Sequence, residues 1–172
     1  MSVVLSVLPA LVPPELHRAA WDLCLQPRWL FGNLSVVGRS LPFWKMDFDG
    51  EPAINAVWQH ARPTCEGLAE RPLQVIRAYA NGHTFGQGGQ PHQDDQRPET
   101  YTLLYYPMLE WRHEWEGETM FFDASGEIAR AVLPLPNRAV FFDSRIGHAG
   151  RPPSRLCPGL RVSIAFKLEV PG

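Results

Sequence analysis

Apolar positions follow two different rhythms along this chain, and the rhythm changes near Leu73. Before that point two stretches repeat every three to four residues, the spacing of a helix with one buried face. Pro13-Pro14-Glu15 opens the first, with proline in the first turn and an acid near the positive end. Leu16, Ala19, Ala20, Leu23 and Cys24 fall on one face of it. The second runs from Pro52 to Leu68 with Ile54, Val57, Trp58 and Ala61 as its stripe, and Pro63 argues against its later half. Val3 to Leu8 and Asn33 to Val37 read as strands, while the aromatic segment Leu41–Phe48 fits neither pattern.

From Leu73 the period shortens. Leu73–Ala80, Tyr101–Tyr106, Glu118–Phe122, Ile128–Leu133, Ala139–Phe142 and Arg161–Leu168 read as strands, separated by glycine, proline or acidic clusters. Two helices followed by at least six strands predict an antiparallel double-sheet barrel with helices covering one outer face. No linker or repeat divides the chain, so residues 1–172 are expected to form one domain, with helical support over about 13–70 and a β core over about 73–169.

Composition narrows the picture. At 172 residues, 45% hydrophobic and 20% charged, the chain suits one sizeable core. Its net charge of -2 gives no reason to expect nucleic-acid or membrane-surface binding. Seventeen prolines and fourteen glycines suit short strands and frequent turns. Cys24, Cys65 and Cys157 are odd in number and widely spaced, which argues against a disulfide framework or zinc finger and for a reducing, cytoplasmic setting. The apolar start lacks a basic n-region and runs into Pro13, so it reads as a strand and turn rather than a signal peptide.

The chemistry gathers around His92 and Asp94. In an extended segment, residues two apart point to the same face. His148, just beyond the apolar strand Ala139–Phe142, is placed to complete the set at a barrel mouth. Two imidazoles and one carboxylate occupy one face of an octahedral iron and leave the other open. Asp95 is a rival ligand that would face the other way; His83 and His113 are read as ordinary loop or core histidines. Farther on, Arg161, Ser163 and Ala165 alternate with apolar Val162, Ile164 and Phe166. An inward arginine with small neighbours would grip a carboxylate through two parallel hydrogen bonds, and the serine would add a third. Tyr79 and Tyr106 carry phenols toward the same place.

These residues resemble the iron(II)- and 2-oxoglutarate-dependent dioxygenases, specifically the prolyl-4-hydroxylase-like branch. The resemblance rests on HxD (His92, Asp94), the distal His148 and Arg161 on the last core strand, and covers about Leu73 to Glu169. Tyr79-Ala80-Asn81-Gly82, Leu104-Tyr105-Tyr106 and Arg138–Asp143 resemble the family's flanking strands. Glu116-Gly117-Glu118-Thr119 resembles its G-G-E segment, with Glu116 where glycine is usual. The thirteen-residue step from His148 to Arg161 is long and contains Pro152, Pro153 and Pro158, so a loop is expected to bulge there.

The resemblance implies a double-stranded β-helix (jelly roll) that is mainly β with flanking helices. It implies Fe(II) on His92, Asp94 and His148. It also implies 2-oxoglutarate held by Arg161, Ser163, Tyr79 and Tyr106, and O2 as oxidant, with succinate and carbon dioxide released. Because Asp94 fills the carboxylate position, hydroxylation is favoured over halogenation. The substrate, a small metabolite or a peptide, is expected to enter near the glycine-rich segment from Gly82 to Arg97, with Trp44, Trp111, Trp115 and Arg130 as candidate contacts. Composition leans toward a small, amino-acid-derived molecule; the oligomeric state is left open. Two competing readings are a cupin-like metal enzyme without 2-oxoglutarate and a non-catalytic jelly-roll binding module.

Overall fold

Strand β10, Arg161–Glu169, runs through the middle of the molecule and shows how the fold divides inside from outside. In this computed structural model, which describes residues 4–36, 38 and 41–172, β10 pairs antiparallel with β4 (Gln74–His83) on one side and β5 (Thr100–Tyr105) on the other. Its even positions, Val162, Ile164, Phe166 and Leu168, are buried in the main hydrophobic core. Its odd positions, Arg161, Ser163, Ala165 and Lys167, line a cavity. One strand thus separates an oily face from a polar one by simple alternation.

The larger sheet has seven strands in the order β1-β8-β5-β10-β4-β3-β2, where β1 is Leu5–Leu8, β2 Leu30–Asn33, β3 Phe43–Asp47 and β8 Ala139–Asp143. A smaller sheet has the order β7-β6-β9, with β6 Thr119–Phe122, β7 Ile128–Val132 and β9 His148–Gly150. Every pairing is antiparallel. Phe121 of β6 meets Phe142 of β8 edge to face at 5.1 Å, which packs the small sheet onto the large one. The result is the expected mainly β double sheet.

Helices α1 (Pro14–Cys24) and α2 (Pro52–Ala69) pack together and cover the apolar face of the large sheet. Trp58 stacks on Phe166 at 6.3 Å between ring centroids. Burying side chains of this size contributes about 1.5–3 kcal/mol each. The stripe Ile54, Val57, Trp58 and Ala61 is buried as expected and continues to Cys65. Pro63 does not end the helix. It sits on the exposed side, and so does Gln59, whose carbonyl loses its partner to the proline and can be hydrated instead. Glu70, in the left-handed conformation, then closes the helix.

Two differences concern the smaller strands. The aromatic segment resolves into β3, where Met46 enters the hydrophobic core while Phe43 and Lys45, on the other face, line the cavity. The expected strand Asn33–Val37 lies earlier instead, as β2; Val37, like Val3, falls outside the described residues. Among the described residues no helix is long and apolar enough to cross a membrane.

Candidate metal centre and co-substrate pocket

His92 and His148 come from distant parts of the chain, and their backbones are tied directly together. Each amide donates to the other's carbonyl, at 3.0 and 2.9 Å, an antiparallel bridge between the loop residue His92 and the first residue of β9. The bridge brings the rings to 4.5 Å between centroids. The Asp94 amide donates to the Ser144 carbonyl at 2.9 Å, which fixes the carboxylate beside both rings. One ligand atom from each of His92, Asp94 and His148 lies within 4.8 Å of the others, a spacing that could hold a metal ion.

Each ring is oriented in the same way. His92 Nδ1 lies 2.8 Å from the Gln90 carbonyl, and His148 Nδ1 lies 3.0 Å from the Ile146 carbonyl. A carbonyl only accepts, so each Nδ1 carries the proton and each Nε2 keeps its lone pair. Those Nε2 atoms point at Asp94, at 3.4 Å for His92 and 3.6 Å for His148. Burial pushes the His148 ring down to about 4, against the pull of Asp94, so it stays a neutral ligand at ordinary pH. Phe121 and Phe142 pack against that ring and shield it from water.

Asp94 has further partners. Thr102 donates to its Oδ2 at 2.6 Å, and Lys167 forms a buried ion pair with the same oxygen. Burial alone would raise the carboxyl, but the Lys167 ammonium holds it well below the usual carboxylate range. Asp95 faces away and pairs with Arg97.

The three residues share a cavity of about 270 Å³ with Arg161, Ser163 and Tyr79. Arg161 is 1% exposed. It donates from Nε to the Gly117 carbonyl at 2.6 Å and from one terminal nitrogen to Thr119 Oγ1 at 2.7 Å. Tyr106 and the more distant Glu118 also favour its charge, but no carboxylate among the described residues lies in ion-pair reach. A buried cation without an anion is costly unless a ligand supplies one. Gly150 keeps the space in front of it, since a Cβ there would come within 3.4 Å of the free terminal nitrogen. The residues therefore suit a dicarboxylate with one end at the metal centre and the other on Arg161.

The remaining sequence candidates take varied places. Ser163 lines the cavity beside Arg161. Tyr79 lines it as well, with its ring among three cations. Tyr106 sits one residue past β5 and behind the cavity wall; its hydroxyl bonds Thr119 Oγ1 at 2.7 Å and Arg161 lies over its ring, so it braces the arginine from the rear. Trp44 pairs across the sheet with Gly82 and meets Phe31, on the face of β3 opposite the cavity-lining Phe43 and Lys45. Trp111 and Trp115 lie beyond Gly117 and line a separate apolar hollow with Trp21 and Leu160. Arg130 is exposed on β7 of the small sheet, away from this cavity.

Two cavity residues were not anticipated. His83 is buried with both ring nitrogens unpartnered, and burial together with nearby Arg161 pushes it down to about 3. Lys167 reaches Asp94. Strand parity carried the signal for both: Arg77, Tyr79, Asn81 and His83 share one face of β4, as Arg161 to Lys167 share one face of β10. The glycine-rich entry segment also differs from expectation. Gly88 and Gly89 serve close approach: a Cβ on Gly88 would meet Pro152 at 2.7 Å, and the Gly89 amide donates to the Gly150 carbonyl.

A family model described as the 2OG-Fe(II) oxygenase superfamily matches residues 74–166. Among curated proteins none matches. Among solved structures, a prolyl-4-hydroxylase from Pseudomonas putida aligns with a TM-score of 0.77 at 17% identity, over 99% of this chain and 95% of that one. A Trichoplax adhaerens prolyl hydroxylase, solved with a hypoxia inducible factor peptide fragment, gives 0.74 at 15% identity, over 96% and 83%. A non-heme alpha ketoglutarate dependent epimerase from nogalamycin biosynthesis gives 0.74 at 13%, over 96% and 77%. At such identities the likeness speaks for the fold, the double-stranded β-helix.

Proposed function

The chain belongs to the 2OG-Fe(II) oxygenase superfamily, and we propose on that premise that it hydroxylates an unactivated C–H bond of a small metabolite or amino-acid-derived substrate. It is a 2-oxoglutarate-dependent dioxygenase whose cofactor set is Fe(II), 2-oxoglutarate and O2. The cupin-like and non-catalytic readings give way to that membership. Both helices and both sheets, residues 1–172, are read as one catalytic domain.

His92 and His148 would hold Fe(II) through Nε2, and Asp94 through a carboxylate oxygen, the acid-bearing set that leaves no ligand position for halide. Bound iron and co-substrate supply the oxidising power. The protein's part is placement. The Gln90 and Ile146 carbonyls fix the ligand rings. Arg161, with Ser163 two residues along the strand and Tyr106 behind it, would hold the far carboxylate of 2-oxoglutarate, while Tyr79 lines the cavity nearer Lys167. Phe121 and Phe142 keep water from the back of His148.

One observation carries this reading: a buried Arg161, without an ion-pair partner among the described residues, opens onto the same cavity as the His92, Asp94 and His148 atoms. The test is succinate release from 2-oxoglutarate, screened against amino acids, related metabolites and peptides, with mass spectrometry for one added oxygen. Absence of succinate from iron-loaded protein sinks the proposal. A peptidyl, prolyl-type hydroxylase is the second reading, favoured by the likeness to the prolyl hydroxylase solved with a peptide; oxidation confined to peptides would establish it instead.

A further inference from the structure

Arg77 and Lys167 stand directly opposite each other on β4 and β10, and both side chains line the cavity. Like charges directly opposed on a sheet destabilise it, so this pair needs a compensating reason. Lys45 joins them from β3. The three cations surround the Tyr79 ring, with Arg77 at 5.1 Å, Lys45 at 5.4 Å and Lys167 at 5.9 Å from its centroid. Their local anions are few. Lys45 pairs with Asp47 at 2.6 Å, and Lys167 pairs with Asp94. Arg77 meets no carboxylate among the described residues.

The arrangement is graded. Arg77 is exposed at the rim, Lys45 is half-buried, and Lys167 is 9% exposed beside the metal centre. Positive charge therefore leads from solvent to the candidate iron, the layout that draws an anion inward. Asp94, the anion that now serves Lys167, is itself one of the proposed metal ligands. Once its charge is shared with a dication, the buried lysine is under-compensated.

The far carboxylate of 2-oxoglutarate does not account for the cluster. Arg161 and Lys167 are six residues apart on β10, on the order of 20 Å along a strand. Arg77 faces Lys167, at the end of the row away from Arg161.

We propose that the substrate is a small carboxylic acid whose carboxylate seats between Arg77 and Lys167 beside the Tyr79 ring. The inference rests on the assignment of His92, Asp94, His148 and Arg161 given above. The Arg77 guanidinium supplies a planar fork that matches a carboxylate, Lys167 supplies the inner charge, and Tyr79 supplies a flat apolar wall. A substrate held this way presents the carbons next to its carboxylate toward the metal ligands.

The test uses protein loaded with Fe(II) and 2-oxoglutarate without oxygen. Uptake of both is measured first, and its failure sinks the reading of the site itself. Calorimetry then compares N-acetyl amino acids and simple aliphatic and aromatic carboxylic acids with their matching amides. At least one acid is expected to bind about tenfold more tightly than its amide, the scale of one charge-assisted pair. In Arg77→Gln that preference should fall to within about threefold while iron and 2-oxoglutarate are still taken up. With uptake intact, acids and amides that bind alike, or fail to bind at all, overturn the carboxylate proposal alone. So does an Arg77→Gln variant that loses affinity for 2-oxoglutarate and keeps the acid preference.

Discussion

Lys167 and Asp94 form an ion pair inside the cavity wall, with side chains only 11% and 7% exposed. The pair joins the last strand of the large sheet to the segment that carries the HxD residues. Breaking a buried pair by removing one partner costs about 3–5 kcal/mol, because the other charge is left without compensation. Asp94→Ala should therefore destabilise the metal-free protein by roughly 3 kcal/mol in urea unfolding. Adding Lys167→Met should recover most of that loss. A double variant no more stable than Asp94→Ala alone would show that the pair contributes little.

Iron should bind at about one per chain, as one facial triad requires. His148→Ala removes a ligand whose ring is already neutral and oriented, so most of the iron should be lost. Metal analysis after desalting measures this. Full retention of iron would place the metal elsewhere.

Arg161→Ala should weaken 2-oxoglutarate by at least about 2 kcal/mol, the value of a charge-assisted pair. Iron content serves as the control, since Arg161 touches Gly117 and Thr119 and none of the triad. Unchanged affinity with normal iron content would remove Arg161 from the co-substrate site.

His83 gives a stability prediction with a definite sign. Its value in the folded chain, about 3, lies below the ordinary 6.5, so on acidification the unfolded chain takes up a proton that the folded one refuses. Stability is lost as pH falls from the ordinary value toward the folded one. His83→Phe should remove that part of the loss, a difference of about 1.5 kcal/mol between pH 6.5 and 5. Urea midpoints of both proteins at the two pH values decide it; parallel shifts would count against His83.

Glu116 has φ 55 and ψ -135, a backbone conformation that favours glycine. Glu116→Gly should stabilise the protein by about 1 kcal/mol, since a strained side chain is removed from a turn. An unchanged or lower unfolding midpoint would mean the turn carries no strain.

The elements were legible where one face of each is consistently buried. β10 and α2 were readable because alternation in one and the three-four spacing in the other match their burial. β9 was not, because its three residues are too few to show a period and it exists by pairing with β6. Pro63 misled because a proline's cost depends on which side of the helix meets water, which composition does not reveal. In the site, spacing and order brought out His92, Asp94, His148 and Arg161. Lys167 and His83 were missed because a lysine or histidine in a strand ordinarily reads as surface or core. Parity alone would have placed both on the cavity side. Trp115 lay beyond reach for another reason: it comes before the turn at Glu116 and Gly117 and lines the separate apolar hollow, while the cavity is reached only after that turn, at Thr119.

The backbone bridge between His92 and His148 also has a kinetic meaning. The two ligands share hydrogen bonds across fifty-six residues of sequence, so the site exists only while the segment bearing His92 stays docked on β9. Any local opening of that segment parts the ligands together with the bridge. Departure of the metal is then governed by how often this joint opens, and a bound ion in turn acts as a latch that slows amide exchange at His92 and His148.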